Sequence, residues 1–214
     1  MIISHHHKFI FFAVPKTATH AIRLALREHL NADDWEQQTL FGKQYLPVRE
    51  LAALGHGHIS VRELKPHLPA DAWESYFKFA FVRNPFDRFV STCFFLNRGT
   101  PHFEDSVLPF MKEALKRPRF KGRVLVKPQA DLLTSSSGEV ALDFVGRYES
   151  LQESFDEICR RIGIPTSDLS RKNASQHGAY DQYYDQTLQE QVADFYRNDF
   201  RLFYDEDEST PPIN

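Results

Sequence analysis

Two apolar runs set most of what this chain can become. "FIFFAV", Phe9 to Val14, and "YFKFAFVR", Tyr76 to Arg83, both read as buried strands. A turn with a proline and a basic residue follows each, "PKTAT" after the first and "RNP" after the second. A helical pattern then begins in both places. Thr19 to Leu30 is the first, and "FDRFVSTCFFLNR", running to Gly99, is the second. Asn84 fits a helix cap, and Pro85 sits where proline favours a helix start. A third run, "DFVGRYE", leads into the amphipathic "SLQESFDEICRRIGI". Ser150 with Glu153 three residues on predicts a capping box there, and Gly163 and Pro165 close the segment. Strands alternating with helices predict an α/β fold with a central parallel sheet flanked by helices. Such sheets bind ligands at the carboxyl ends of their strands.

The rest of the chain fills in around these units. "GHGHIS" reads as a short strand whose glycines let the backbone approach something closely. Glu104 to Lys116 reads as a helix, "KRPRFKGR" as a basic loop, and Gln129 to Leu133 as a helical turn. "DQTLQEQVADFYRNDFRLF" reads as one long helix, and an acidic tail occupies about 205–214. With 214 residues and 42% hydrophobic content, the expectation is a single globular domain over 1–214. The formal charge of −3 carries no global signature of a nucleic-acid binder, so any anion must be held by a local patch. Cys93 and Cys159 lie in apolar segments and read as reduced, buried thiols. No apolar run has the length of a membrane span, and the first residues lack a signal peptide's apolar core. The expectation is a cytoplasmic protein without membrane or nucleic-acid partners.

The turn after the first strand has a physical use. Backbone N–H groups at a helix N-terminus favour a phosphate. Lys16 adds a charge, and Thr17 and Thr19 add hydroxyls. A plain strand–turn–helix with an exposed lysine is the competing reading. The glycines and the Gly-Lys-Ser/Thr ending of a Walker loop are missing, and no aspartate on an apolar strand offers itself to magnesium. The ligand expected is therefore one phosphate or a short mixed anhydride, held without a metal. "FVRNPFDRFVS" supplies a second candidate. Arg83 ends the second strand and would fork onto a phosphate, with Ser91 donating a hydroxyl from the helix. Its competing reading is an ordinary charged helix start made of Arg83, Asp87 and Arg88.

"PKTAT" followed by "RNPFDRFVS" resembles the two cofactor motifs of sulfotransferases that use 3′-phosphoadenosine 5′-phosphosulfate (PAPS). "DFVGRYESLQESFDEICRRIGIP" and "FYRNDFRLFY" are similar to the carbohydrate-type branch, so the resemblance runs from about Phe9 to Tyr204. It implies a P-loop-like three-layer fold. It implies that Lys16, Thr17, Ala18, Thr19, His20 and Ala21 hold the 5′-phosphosulfate side, and that Arg83 and Ser91 hold the 3′-phosphate. Asn173 and Ser175, in "RKNASQHGAY", are implied near the adenosine end. His20 departs from the pattern, where a small or hydroxyl residue is commoner.

Transfer to a hydroxyl needs a base near neutrality, which suits histidine. "HGHIS" resembles the His-Gly-His stretch of the heparan and uronyl 2-O-sulfotransferases, where histidine is the base. By that match His58 is the catalytic base, His56 assists or binds substrate, and Lys16 stabilises developing charge. Two surface histidines, or half a metal site completed by His5 to His7, are the competing readings, and no metal is expected. The acceptor expected is a hydroxyl-bearing glycan or other small molecule. Arg117, Arg119, Lys121 and Arg123 would meet it if it is acidic; a solvated basic loop is the alternative. Phe103, Tyr180, Tyr183 and Tyr184 are stacking candidates whose commoner fate is packing. A P-loop-type kinase or nucleotide hydrolase, and a non-catalytic PAP- or metal-binding relative, are the two rival functions.

Overall fold

The computed structural model describes residues 1–40, 42–169 and 178–204. In chain order the strands are β1 (Ile2–Ser4), β2 (Phe9–Phe12), β3 (Trp35–Glu36), β4 (Phe77–Val82) and β5 (Phe144–Arg147). The helices are α1 (Thr19–Arg27), α2 (Arg49–Ala52), α3 (Val61–Leu64), α4 (Ala70–Ser75), α5 (Pro85–Leu96) and α6 (Val107–Lys116). They continue with α7 (Pro118–Lys121), α8 (Gln129–Leu133), α9 (Leu151–Ile162), α10 (Gln186–Phe195) and α11 (Arg197–Phe203). The described residues pack as two compact units. Residues 1–82 and 131–169 form the first, and residues 83–130 and 178–204 form the second.

The first unit holds the sheet, in the order β3-β1-β2-β4-β5. Its centre is parallel: Phe11 of β2 stands opposite Phe79 of β4, and Phe79 opposite Phe144 of β5. The other edge is antiparallel, with β1 paired to both β2 and β3. Alternation along the strands sends Phe9, Phe11, Phe79 and Phe81 to one face. There they meet Ile22 and Leu26 of α1, and Phe155, Ile158 and Ile162 of α9. Each such side chain contributes about 1.5–3 kcal/mol by leaving water. The α9 packing is close enough to dictate a residue. A Cβ on Gly146 would lie 2.9 Å from the Phe81 ring and 2.9 Å from Ser154 Cβ, so β5 carries glycine there.

The second unit is built on α5. Asn84 accepts from Phe86 N and Pro85 opens the helix, as the sequence predicts. Phe86 packs on Phe200 at 5.1 Å, and Phe89 on Tyr196 at 6.2 Å, between ring centroids.

Several expectations are corrected. β1 and β3 are unpredicted, being three and two residues long with no period of their own. "GHGHIS" is not a strand but a loop that ends in a capping box at Ser60 and Glu63. The box expected at Ser150 does not form, since its side chain caps no backbone N–H. "KRPRFKGR" contains the short helix α7 rather than being wholly loop. The long final helix breaks into α10 and α11 at Tyr196, whose buried hydroxyl donates to Val126 O at 2.7 Å.

Candidate functional site

The turn after β2 curves tightly without a glycine. Lys16 has φ 68° and Ala18 has φ 58°, so both occupy the left-handed region that glycine would ordinarily supply. Such residues persist only where their surroundings hold them. Here Val14 O accepts from Thr17 Oγ1 at 2.9 Å and from Thr19 Oγ1 at 2.6 Å, drawing the loop onto the strand end. The threonine hydroxyl protons therefore point into the loop rather than out of it. The backbone N–H groups of the first turn of α1 point towards this loop, as they do at any helix N-terminus. His20 lies in that turn. Its pKa is lowered, first by burial and then by Arg27 and Arg23, which favours the neutral ring.

His58 is fastened to the same loop. Its Nδ1 lies 2.7 Å from Ala13 O, two residues before Pro15. A carbonyl only accepts, so Nδ1 carries the proton and the neutral ring keeps its lone pair on Nε2. The residue is half-buried by area, yet its ring sits deep enough that burial pushes the pKa down to about 3. The bond to Ala13 opposes that shift, and Arg23 and His56 add to it. The His56 ring centroid is 6.2 Å from that of His58.

The segment between them explains its glycine. A Cβ on Gly57 would stand 2.1 Å from Gln37 O and 2.6 Å from Arg23 Nη2. The close approach expected from the sequence is thus to Gln37 and Arg23. Arg23, buried on α1, donates to Gln37 O at 3.0 Å and pairs with Glu36 at 3.7 Å. Burial lowers its pKa to about 10, with Glu36 opposing. Gln37 is fully buried; its Nε2 donates to Leu51 O at 2.8 Å and to His56 O at 2.9 Å. The sequence gives no local signal for Gln37. Its partners lie 14 and 19 residues away.

In the second unit Arg83 is 4% exposed. Its Nε and Nη2 grip the two carboxylate oxygens of Asp87 at 2.7 and 2.8 Å, so this edge of the fork faces the helix's own first turn. Ser91 lies on α5 and is buried. Arg88 is buried as well, with Nη2 donating to Lys127 O at 2.7 Å and its guanidinium 5.1 Å from the Tyr196 ring centroid. Asp199 lies 4.0 Å from Arg88 and accepts from Gln129 N and Ala130 N, at 2.9 and 2.8 Å. Burial raises the pKa of Asp199, with Arg88 opposing. Gln129 and Asp199 were invisible to motif reading, because each acts on a residue distant in sequence.

The remaining expectations fall as follows. Arg117, Arg119 and Arg123 are exposed, while Lys121 is half-buried with its ammonium 5.9 Å from the Phe195 ring. Phe103 packs against Phe94 and Phe110, and Tyr184 donates to Phe86 O at 2.9 Å, so both have packing roles. Asn173 and Ser175, and the acidic tail, lie outside the described residues. His5 Nδ1 pairs with the Tyr76 hydroxyl at 2.9 Å, and among the described residues no three His, Cys, Asp or Glu gather as metal ligands. No helix among those residues is long and apolar enough to cross a membrane.

A strand, a proline-lysine-threonine turn on a helix N-terminus, and a histidine docked at that strand's end form a candidate anion site on an α/β protein. The sequence profile described as the sulfotransferase family matches residues 1–205, and the chain belongs to that family. It is also similar to an uncharacterized protein of Archaeoglobus fulgidus, 30% identical over 98 residues, which cover 44% of this chain and 72% of the relative. No solved structure matches the chain.

Proposed function

We propose that this sulfotransferase takes its sulfonate from PAPS and delivers it to the hydroxyl of a carbohydrate acceptor, with His58 as general base. The observation that carries the reading is the bond from His58 Nδ1 to Ala13 O. It ties the candidate base to the strand end from which the candidate phosphate turn leaves, and it keeps the Nε2 lone pair for a substrate proton. PAPS supplies an activated sulfonate on a short mixed anhydride. The residues of the turn fit such a group: a left-handed Lys16 and Ala18 curve the backbone onto the α1 N-terminus without the longer cradle a triphosphate needs.

In this reading Lys16 and the first-turn N–H groups of α1 stabilise negative charge, Thr17 and Thr19 hold the loop's shape, and His20 and Ala21 line its helix side. His58 Nε2 takes the acceptor's hydroxyl proton, and His56 assists; burial lowers the pKa of the unliganded ring to about 3, so the transfer relies on the negative charge of bound phosphosulfate to raise the ring's basicity. Arg83 and Ser91 serve the 3′-phosphate, and Asn173 and Ser175 the adenosine end. The resemblance of His56–Gly57–His58 to the heparan and uronyl 2-O-sulfotransferases favours a carbohydrate acceptor. The exposed Arg117, Arg119 and Arg123, with Lys121, favour an acidic one.

Calorimetric titration with PAP, run beside magnesium-ATP, tests the cofactor. The expected result is micromolar PAP binding that Lys16→Ala and Arg83→Ala both weaken. Binding of magnesium-ATP in place of PAP overturns the reading. An acceptor screen with His58→Ala as control then tests the base.

A further inference from the structure

We propose that Gln129 is a positioning residue for Arg83, clamping its backbone so that its guanidinium is held ready for the 3′-phosphate. This rests on the reading of Arg83 as the 3′-phosphate ligand. The clamp is two-sided. Gln129 Oε1 accepts from Arg83 N at 3.0 Å, and Gln129 Nε2 donates to Arg83 O at 2.9 Å. A neighbouring strand would make the same pair of bonds to a residue in a ladder. Arg83 comes directly after Val82, the last residue of β4, so the side-chain amide takes over where regular strand structure ends.

The clamp is itself anchored. Gln129 is fully buried and opens α8, and its own N–H and that of Ala130 both donate to the carboxylate of Asp199. Asp199 is fully buried beside Arg88. A carboxylate from α11 therefore caps α8, α8 presents Gln129, and Gln129 fixes the Arg83 backbone. One turn further on, Asp87 fixes the guanidinium. Little freedom remains to be lost when an anion arrives, and preorganisation of that kind improves affinity by lowering the ordering cost. It acts through Arg83 alone, so it should matter only to ligands that carry the group Arg83 receives.

That selectivity is the test. Affinities for PAP and for adenosine 5′-monophosphate, which lacks the 3′-phosphate, are measured by titration on the full chain with wild type, Arg83→Ala, Gln129→Met and Gln129→Glu. Wild type should prefer PAP, and Arg83→Ala should abolish the preference. Gln129→Met should weaken PAP by about ten-fold and leave the monophosphate unchanged. Gln129→Glu, which keeps the acceptor for Arg83 N but loses the donor to Arg83 O, should fall between, and it carries the test if the methionine variant does not fold. Equal losses for both ligands, or no loss for either, overturn the proposal and leave Gln129 a structural residue. If wild type shows no preference for PAP, or Arg83→Ala keeps it, the reading of Arg83 itself fails and the proposal falls with it.

Discussion

The turn after β2 and the turn after β4 are built by opposite means. The first is made of backbone: two left-handed residues, two threonines folded back onto Val14 O, and the N–H groups of a helix N-terminus. The second is made of side chains: a guanidinium fork on Asp87 and an amide clamp from Gln129. A backbone site depends on which conformations its residues tolerate. A side-chain site depends on partners brought from elsewhere in the chain. Substitutions should therefore hurt the two in different ways.

The largest effect expected belongs to neither turn and sets the scale for both. His58→Ala should lower kcat by about 10²–10⁴-fold while PAP affinity stays unchanged. A steady-state assay paired with titration checks it. Next comes Gly57→Ala, whose Cβ would meet Gln37 O at 2.1 Å. A loss of about 1–3 kcal/mol is expected in denaturant unfolding, typical of overpacking; an unaltered midpoint would mean that the loop has room to move. The comparison itself is tested by exchanging charge for charge. Arg83→Lys loses the fork and should weaken PAP by about ten-fold, whereas Lys16→Arg keeps a mobile charge and should cost less. The reverse order would contradict the division into a side-chain site and a backbone site.

Ala18 sharpens the backbone half. Ala18→Gly should change stability by less than about 1 kcal/mol, since relief of the left-handed strain offsets the added freedom of the unfolded chain. Ala18→Val should destabilise by about 1–2 kcal/mol more, because a β-branched residue tolerates positive φ poorly. Thermal melts of the pair decide it. The last effect, acid sensitivity, is negligible at neutral pH and grows only in acid. His58 titrates at about 3 when folded against 6.5 as its ordinary value, so the unfolded chain binds the extra proton first. Stability should fall as pH drops from about 6.5 towards 3, and His58→Gln should flatten that part of a melting series.

The same contrast explains what the sequence disclosed. The three longer strands, the helix start at Asn84 and Pro85, and the turn at Lys16 are local features, each written within a few neighbouring residues. So was the demand for glycine at position 57, though not what it approaches. The residues that went unread act at a distance: Gln129 lies 46 positions from Arg83, and Asp199 lies 70 from Gln129. A buried glutamine has no period and no motif. Tyr196 was missed for a related reason, since its helix pattern continues while the hydrogen bond to Val126 O sits where the helix breaks. The capping box at Ser150 shows the opposite error, a local signal that the folded chain does not use.

The division of the chain into interrupted halves bears on how it is made. β5 and α9 belong with the first 82 residues, yet the opening half of the other unit lies between them in sequence. On the ribosome, β4 emerges on the order of seconds before its parallel partner β5. For that interval a phenylalanine-rich strand presents an open edge and an uncovered face, which is the kind of surface that recruits chaperones or other nascent chains. The stretch that ends in Arg83 is thus also the stretch whose protection arrives late, and slow synthesis between Val82 and Phe144 should cost soluble yield before it costs anything else.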